Sequence, residues 1–131
     1  MANSVNPLRA FHNIVANQAI SFDAKVEQLL GFGLELFGLE IGIVSKVINQ
    51  TYLIQFVESP IPELTPGMTF TLEETYCMHT LKAQQATGFY HAGKSEIASH
   101  PCYHTQGLEA YLGAPILLND EVYGTVNFSS P

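Results

Sequence analysis

The stretch Ala110–Pro131, AYLGAPILLNDEVYGTVNFSSP, decides how this chain folds. Its apolar residues fall in two runs, Ala110–Leu117 and Val122–Phe128. Between the runs stands Asn119-Asp120, and these residue types tolerate the left-handed backbone angles of a tight turn. Both runs are apolar at nearly every position, as in strands covered on both faces or on one face and a pocket. We therefore predict a hairpin at the centre of a sheet.

The composition is that of a single globular domain. Its 131 residues are 47% hydrophobic and 13% charged, which indicates one core and no extended disorder. The formal net charge is -7, and the five basic residues form no stripe that could bind phosphates. The sequence has no apolar run long enough to span a bilayer and no N-terminal signal pattern. We therefore expect a cytoplasmic domain with neither nucleic acid nor membrane as a partner.

A short amphipathic helix is predicted over residues 7–18. Asn6 suits the N-cap and Pro7 suits the first helical turn. The apolar residues that follow recur at helical spacing but form only a narrow stripe. Such a stripe fits either a helix that packs on the domain or a helix that pairs with a second copy, and both interpretations stay open.

A longer helix follows. Ser21 is its predicted N-cap, Val26 begins a core-facing stripe at helical spacing, and Gly38 ends it. Gly31 and Gly33 each weaken such a helix by about 1 kcal/mol relative to alanine. We therefore predict that these two glycines allow close approach to the sheet.

A second hairpin is predicted from the β-branched and aromatic runs Ile41–Ile48 and Thr51–Val57, which residues 49–50 separate. Ser59–Pro66 contains three prolines and is predicted to be a loop. Gly67–Thr71 is predicted to be a short extended segment. The first half of the sheet is thus expected before residue 72.

The next helix is predicted from a capping box. Thr71 and Glu74 have the required spacing, and the helix is expected to run for about three turns to Gln84. Gly88–His91 reads as a short strand, and Ala92–Gly107 as a loop with short helical turns. This order of elements predicts an α+β fold with an antiparallel sheet. Pro115 then requires a bulge or an edge-facing position in its strand, because it donates no backbone hydrogen bond.

Several of these residues form a family pattern. The most specific pieces are Thr75-Tyr76-Cys77 and residues 107–115, GLEAYLGAP, with an acidic turn and Val122-Tyr123-Gly124-Thr125 after them. From about Ser21 onward the chain resembles a GAF domain of the kind found in bacterial two-component histidine kinases, diguanylate cyclases and response regulators. GAF domains of this kind commonly have proline at the position of Pro115.

The resemblance implies a GAF-like antiparallel β-sheet with helices packed on one face and a loop and short-helix pocket on the other. It divides the chain into an N-terminal helix or linker at 1–20 and a GAF domain at 21–131. The usual C-terminal helix of the family is lacking, so we expect a fragment of a longer chain. The family also implies a homodimer that forms through terminal helices.

The family pocket implies a set of candidate ligand-binding residues, matched by position alone. They are Tyr76, Cys77, Phe89, Tyr103, His104, Tyr111 and Gly113. Aromatic side chains around small residues suit a buried small ligand, whereas at any single position plain core packing is the alternative. The ligand and any cofactor remain unknown from sequence.

The sequence lacks the usual motifs for two known classes of GAF ligand, bilins and cyclic nucleotides. Bilin-carrying GAF domains usually attach the pigment through a cysteine followed directly by histidine. Here Met78 follows Cys77 and Tyr103 follows Cys102, and the Asp-Ile-Pro motif of phytochromes is absent. Bilin binding is therefore kept only as an alternative. The Asn-Lys-Phe-Asp-Glu set of cyclic-nucleotide GAF domains is absent as well, so cGMP and cAMP are not expected.

An enzymatic alternative is the GAF-type free methionine-R-sulfoxide reductase. Cys77 and Cys102 fall at places similar to its thiols, and such chemistry needs a thiolate nucleophile with a resolving thiol. However, Asn127 and Ser129 stand where that family has acids on the last strand, and Tyr103 replaces the Asp after the loop cysteine. The main expectation is therefore a domain with no catalytic residues, and catalysis is expected in an output domain instead.

Possible metal ligands lie in the same region. His100-x-Cys102-x-His104 and Cys77-x-His79 offer ligands that zinc accepts. One-residue spacing alternates direction in a strand, however, and no Cys-x-x-Cys pair exists, so no metal is predicted. The leading interpretation is a sensory domain that binds a small molecule or a partner surface and relays the change through its terminal helices. A purely structural dimerisation module is the remaining alternative.

Overall fold

The computed structural model describes residues 6–89 and 108–131, which contain three α-helices and six strands. The helices are α1 (Pro7–Ala16), α2 (Phe22–Phe37) and α3 (Cys77–Ala83). The strands are β1 (Ile41–Ile48), β2 (Thr51–Glu58), β3 (Thr69–Thr71), β4 (Thr87–Phe89), β5 (Ala110–Leu118) and β6 (Glu121–Ser130). Every strand pair is antiparallel, in the order β3-β2-β1-β6-β5-β4. The predicted α+β class is therefore confirmed.

The β5–β6 hairpin closes as its turn residues predict. Asn119 and Asp120 both have left-handed backbone angles, with φ of 53° and 66°, and this pair of angles matches the right-handed twist of the flanking strands. On its other side β6 pairs with β1, so the middle of the sheet lies between β1 and β6. The hairpin thus supplies one of the two central strands, and β5 lies next to the edge strand β4.

Two bulges flank β1. The register between β1 and β2 passes over Gln55, and the register between β5 and β6 passes over Tyr123. The Tyr123 hydroxyl donates to Gln55 Oε1 at 2.5 Å and thereby links the two bulges across β1. Beside them the backbones come so close that a Cβ on Gly124 would run into the carbonyl oxygen of Ser45. Glycine at this position is a packing requirement.

Helix α2 packs on β1 and β2, and its ends follow the predicted signals. The Ser21 hydroxyl accepts from the Ala24 amide at 3.1 Å, and Gly38 ends the helix with a left-handed φ of 69°. Gly33 lies against the Phe128 ring, where a Cβ would clash with the ring carbons, so the predicted close approach is confirmed there. For Gly31 the prediction is wrong, because nothing lies within 4 Å of a Cβ built at that residue.

Helix α1 begins as predicted and ends at Ala16, two residues earlier than expected. The Asn6 side chain accepts from the Leu8 amide at 2.9 Å. Helix α1 packs on α2 but buries none of its own residues. No helix in the described part of the chain is long and apolar enough to cross a membrane.

The predicted helix from Thr71 to Gln84 is wrong in its first half. Thr71 ends β3, where it pairs with Thr51, and its side chain makes no capping hydrogen bond. The Leu72 amide then donates to the Gln50 carbonyl at 2.8 Å. The backbone N–H of Leu72 is thus used by the neighbouring strand, whereas in a capping box it would begin the helix without a partner. A single 3-10 turn follows at Leu72–Glu74, and the α-helix begins only at Cys77.

Pro115 sits where a missing donor costs nothing. It pairs with Thr125 of β6 on one side, whereas β4 stops pairing at Gly113 on the other. The predicted edge-facing position is therefore confirmed, and the bulge in this hairpin lies beyond Pro115.

The two faces of the sheet carry different layers. Helix α2 covers one face, with α1 outside it, and α3 with the preceding 3-10 turn lies on the opposite face above β5 and β6. This is the predicted arrangement of helices on one face and a short-helix pocket on the other. The predicted loop at 92–107 lies outside the described residues.

Candidate functional site

The face of the sheet beneath α3 carries a buried polar stripe. Ser45 on β1 and Thr125, Asn127 and Ser129 on β6 are at most 4% exposed. The three β6 residues alternate along the strand and therefore point to the same face. A buried polar group costs free energy unless it is hydrogen-bonded, so most of this stripe is satisfied within itself or by α3. Ser45 Oγ and Thr125 Oγ1, for example, are 2.9 Å apart.

Cys77 begins α3 directly above this stripe. Its Sγ lies 3.2 Å from Thr125 Oγ1 and accepts from the amide of Asn127 and the hydroxyl of Tyr111, each at 3.3 Å. Burial raises the pKa of the Cys77 thiol, and hydrogen bonds from its neighbours offset only part of that rise. The group is therefore held as a neutral thiol at neutral pH, whereas nucleophilic cysteines are held as thiolates.

Two phenols complete the floor of the site. Asn127 Nδ2 donates to the Tyr52 oxygen at 2.9 Å, and the Tyr111 oxygen lies 2.8 Å from Thr80 Oγ1. Burial is the main cause that raises the pKa of both phenols, with a smaller contribution from nearby Cys77. Both tyrosines are consequently neutral hydrogen-bonding groups at any physiological pH.

The Tyr111 ring is held in one orientation. It folds back along its own strand over Gly113, where a Cβ would run into the Tyr111 hydroxyl. The Tyr76 ring meets the Tyr111 ring edge to face at 5.5 Å between centroids, and the Tyr76 hydroxyl donates to the Leu108 carbonyl at 2.7 Å. Gly113 therefore acts by leaving room for Tyr111.

These groups surround a cavity of about 250 Å³ between the sheet, α3 and the loop before β3. Its apolar wall is formed by Ile41, Ile43, Ile61, Leu64, Phe70 and Leu108. Its polar lining includes Tyr52, Glu63, Thr75, Cys77, Tyr111, Asn127 and Ser129. Apolar walls with a few convergent polar groups are the usual composition of a small-molecule site.

The structure brings together three of the residues predicted for this site. Tyr76, Cys77 and Tyr111 all line the cavity. Gly113 lies beneath Tyr111, and Phe89 ends β4, where its backbone pairs with Tyr111. Tyr103 and His104 lie outside the described residues, as does Cys102. The ligand-binding role of all seven stays a prediction.

Sequence reasoning missed the contribution of the central strands. Tyr52, Asn127 and Ser129 line the cavity, but none was among the predicted pocket residues. One signal could have found two of them. Thr125, Asn127 and Ser129 put a polar residue at every second position of an otherwise apolar strand, which marks one face as different.

A second groove of about 800 Å³ lies on the opposite face, between α2 and the sheet. Its lining is mainly apolar and includes Phe22, Val26, Leu53 and Leu118. It has few polar groups that could orient a ligand. The cavity under α3 is therefore the better candidate for specific binding.

The described residues contain no group of three or more His, Cys, Asp and Glu side chains that could hold a metal ion. Burial lowers the pKa of His79, with a smaller effect from Lys82. The other possible zinc ligands, His100, Cys102 and His104, lie outside the described ranges. The absence of a metal therefore stays a prediction.

The fold matches solved GAF structures. The GAF domain of a phosphoenolpyruvate-protein phosphotransferase from Acinetobacter has a TM-score of 0.72 and 17% identity, covering 96% of this chain and 78% of that one. A phycocyanobilin-bound GAF domain from a cyanobacterial phytochrome has a TM-score of 0.71 and 14% identity, covering 96% and 80%. A free methionine-R-sulfoxide reductase from Neisseria meningitidis, in complex with its substrate, has a TM-score of 0.69 and 9% identity, covering 95% and 70%.

No protein-family model matches the sequence, and no curated protein matches it either. At identities of 17% and below, these three structures show a shared fold. The chain has the fold of GAF domains, as its sequence pattern indicated. The same fold serves a pigment-bound domain and a reductase among these structures, so function has to be argued from the site.

Proposed function

We propose that this chain is a non-catalytic sensory domain of a cytoplasmic bacterial signalling protein, of the two-component or a related type. A small molecule binds in the cavity under α3, and the resulting change is relayed to an output domain through the terminal helices. The proposal rests on the geometry of the site and on the GAF fold.

The observation that carries the proposal is the cavity itself. A core built for packing alone fills its interior with apolar side chains and leaves few voids. Here Asn127 and Ser129 are buried at a central strand and face an open volume of about 250 Å³. Polar groups that converge on a largely apolar pocket favour a ligand that completes them.

The relay follows from where the cavity lies. Its floor is β1 and β6, and the opposite face of those strands carries Phe128, which packs on α2 at Gly33 and on Phe37. A ligand that favours one arrangement of these layers shifts the population of the helices on the far face. Differential affinity between two arrangements is the requirement for such a signal.

Native mass spectrometry of the purified domain, compared with its denatured mass, tests the proposal. Extra mass that is lost on denaturation supports a retained small molecule and identifies it. Mass that survives denaturation indicates a covalent adduct and favours the bilin alternative. A bare mass, together with no binding in a screen of metabolites, would contradict the proposal and favour the dimerisation module.

We also propose that Cys77 has no catalytic role. Support comes from its burial and from the raised pKa of its thiol, which oppose formation of a thiolate. The test is turnover of free methionine-R-sulfoxide by the parent, by Cys77→Ser and by Cys102→Ser. We expect no turnover in any of the three; turnover in the parent that each substitution abolishes would establish the reductase alternative.

A further inference from the structure

The cavity under α3 has no positive charge among the residues that the structure describes. Four of the five lysines and arginines lie in the described ranges, namely Arg9, Lys25, Lys46 and Lys82. None of these four lines the cavity. Lys46 lies on the opposite face, with its Nζ 5.5 Å from the centre of the Tyr123 ring. Within the described lining the charged side chain is Glu63, an exposed acid. The described surroundings of the cavity are therefore neutral to negative.

The floor of the cavity is neutral as well. Cys77, Tyr52 and Tyr111 stay protonated because burial raises the pKa of each. An anion that entered would lose its hydration without gaining a cation from the described lining, and Glu63 would repel it. The described part of the lining thus offers carboxylates and phosphates no cation.

Two polar atoms of the stripe have capacity left for a ligand. Asn127 uses its Nδ2 for Tyr52, Cys77 and Thr125, and its Oδ1 has no partner among the described residues. The Ser129 hydroxyl likewise has no hydrogen-bond partner within the described ranges. The amide oxygen of Asn127 accepts a hydrogen bond from a donor, which a hydroxyl or a neutral amide supplies and a carboxylate does not.

We infer that the cavity takes a small uncharged molecule with an apolar body and one hydroxyl or amide head, which bonds Asn127 and Ser129, and that it excludes anions. The inference rests on the proposed small-molecule function and gives that function a ligand class. A volume of about 250 Å³ lies below the range of about 300–1,000 Å³ that larger ligands occupy. One ring or a short branched chain with a single polar head fits it.

A matched series of probes tests whether the cavity prefers uncharged ligands to anions. Benzamide, benzyl alcohol, benzylamine and benzoate share a ring and differ in the head group, and toluene lacks a polar head. Each is titrated into the ¹⁵N-labelled chain, and the shifts of amide signals around the cavity give its dissociation constant. We expect benzamide and benzyl alcohol to bind more tightly than benzylamine, and benzoate to bind at least about tenfold more weakly than benzamide.

Two substitutions tie the result to this site. Ser129→Ala is expected to weaken the binding of benzamide about fivefold, because it removes one hydrogen bond. The dissociation constant of toluene should stay unchanged. Glu63→Gln is expected to raise the affinity for benzoate and lower the affinity for benzylamine. The affinity for benzamide should not change. Glu73→Gln is the matched control, since this exposed acid lies outside the cavity lining, and it should change none of the five constants.

The possible outcomes test the ligand class separately from the proposed binding function. Benzoate that binds in the cavity as tightly as benzamide would overturn the ligand class and leave a small-molecule site standing. No shift at the cavity with any of the five probes would overturn the ligand class and the proposed binding function together. Ser129→Ala that weakens toluene as much as benzamide would show that the head does not lie on the polar stripe.

Discussion

Thr80 shows how single hydroxyl groups hold the site together. It is fully buried in α3, and its Oγ1 lies 2.6 Å from Thr87 Oγ1 and 2.8 Å from the Tyr111 hydroxyl. One side chain thus joins the short helix to both β4 and β5. Because buried hydroxyls depend on such partners, loss of one leaves the others unsatisfied.

Replacement of Thr80 by valine keeps the shape and removes the hydroxyl. We expect Thr80→Val to lower the free energy of unfolding by about 1–3 kcal/mol, because the Thr87 and Tyr111 hydroxyls lose a partner. Thr69→Val, at an exposed position of β3, is the control and should change it by less than about 0.5 kcal/mol. Urea unfolding followed by circular dichroism measures both, and equal effects would contradict this account.

Cys77 makes stability depend on pH in the alkaline range. Burial raises the pKa of its thiol in the folded state, so the unfolded chain loses this proton first, above about pH 8.5. The unfolded state then binds fewer protons than the folded state, and stability falls as pH rises. Below the pKa of the unfolded thiol this loss is absent.

In the Cys102→Ser protein, we expect the ionisation of Cys77 to lower the free energy of unfolding by about 1 kcal/mol between pH 8 and pH 9.5. This range stays below the ordinary pKa of tyrosine, so Tyr52 and Tyr111 add little. The double variant Cys77→Ser, Cys102→Ser lacks the titrating thiol and should show a smaller loss. Parallel urea titrations at the two pH values decide, and identical losses would mean that Cys77 ionises normally when folded.

At the scale of elements, the two glycines of α2 have opposite surroundings. Gly33 faces the Phe128 ring, whereas Gly31 has open space around it. We expect Gly31→Ala to stabilise the protein by up to about 1 kcal/mol through helix propensity. Gly33→Ala should destabilise it by about 1–3 kcal/mol through overpacking. Each variant is the control for the other in thermal and urea unfolding, and equal signs would contradict the packing of α2 seen here.

Elements with local signals were predictable, and those decided by pairing were not. Asn6, Ser21 and Gly38 mark helix ends because caps act within one helical turn. The capping box at Thr71 has the same local strength, yet strand pairing with Thr51 prevailed there. Sequence alone could not show this, since the partner strand lies far away along the chain.

The site was predictable to the extent that it resembled a family. Tyr76, Cys77 and Tyr111 were found by position, and they line the cavity. Asn127 and Ser129 were noticed only as missing acids, because their burial depends on which face of β6 meets α3. The alternation on β6 places these residues on one face, but which layer covers that face depends on the packing of α3.

At the scale of the whole molecule, α1 presents an exposed apolar stripe. Leu8, Phe11 and Val15 share one side of the helix at spacings of three and four residues, and they are 78%, 49% and 44% exposed. Isolated apolar residues are normal on a surface, but a stripe along a helix suits a partner. This favours the homodimer through terminal helices that the family resemblance implies.

A charge in that stripe tests the dimer. We expect the parent chain to be a dimer and Phe11→Glu to be a monomer, because a glutamate in an apolar helix contact would be buried without a partner. Asn13→Glu adds the same charge on another side of α1 and should leave the dimer intact. Sedimentation velocity over a range of concentrations measures all three. A monomeric parent, or dissociation by both variants, would contradict the assignment.

The outer strands of the described sheet are very short. Strands β3 and β4 have three residues each, and Pro115 removes a donor from the part of β5 that extends past β4. Fibrils grow when an exposed edge templates the strand of another chain, and short or proline-interrupted edges are poor templates. In the described part of the sheet, the short strand β3 and the proline in β5 therefore work against such templating. Concentrated preparations are expected to stay clear, with helices rather than strand edges as the route of self-association.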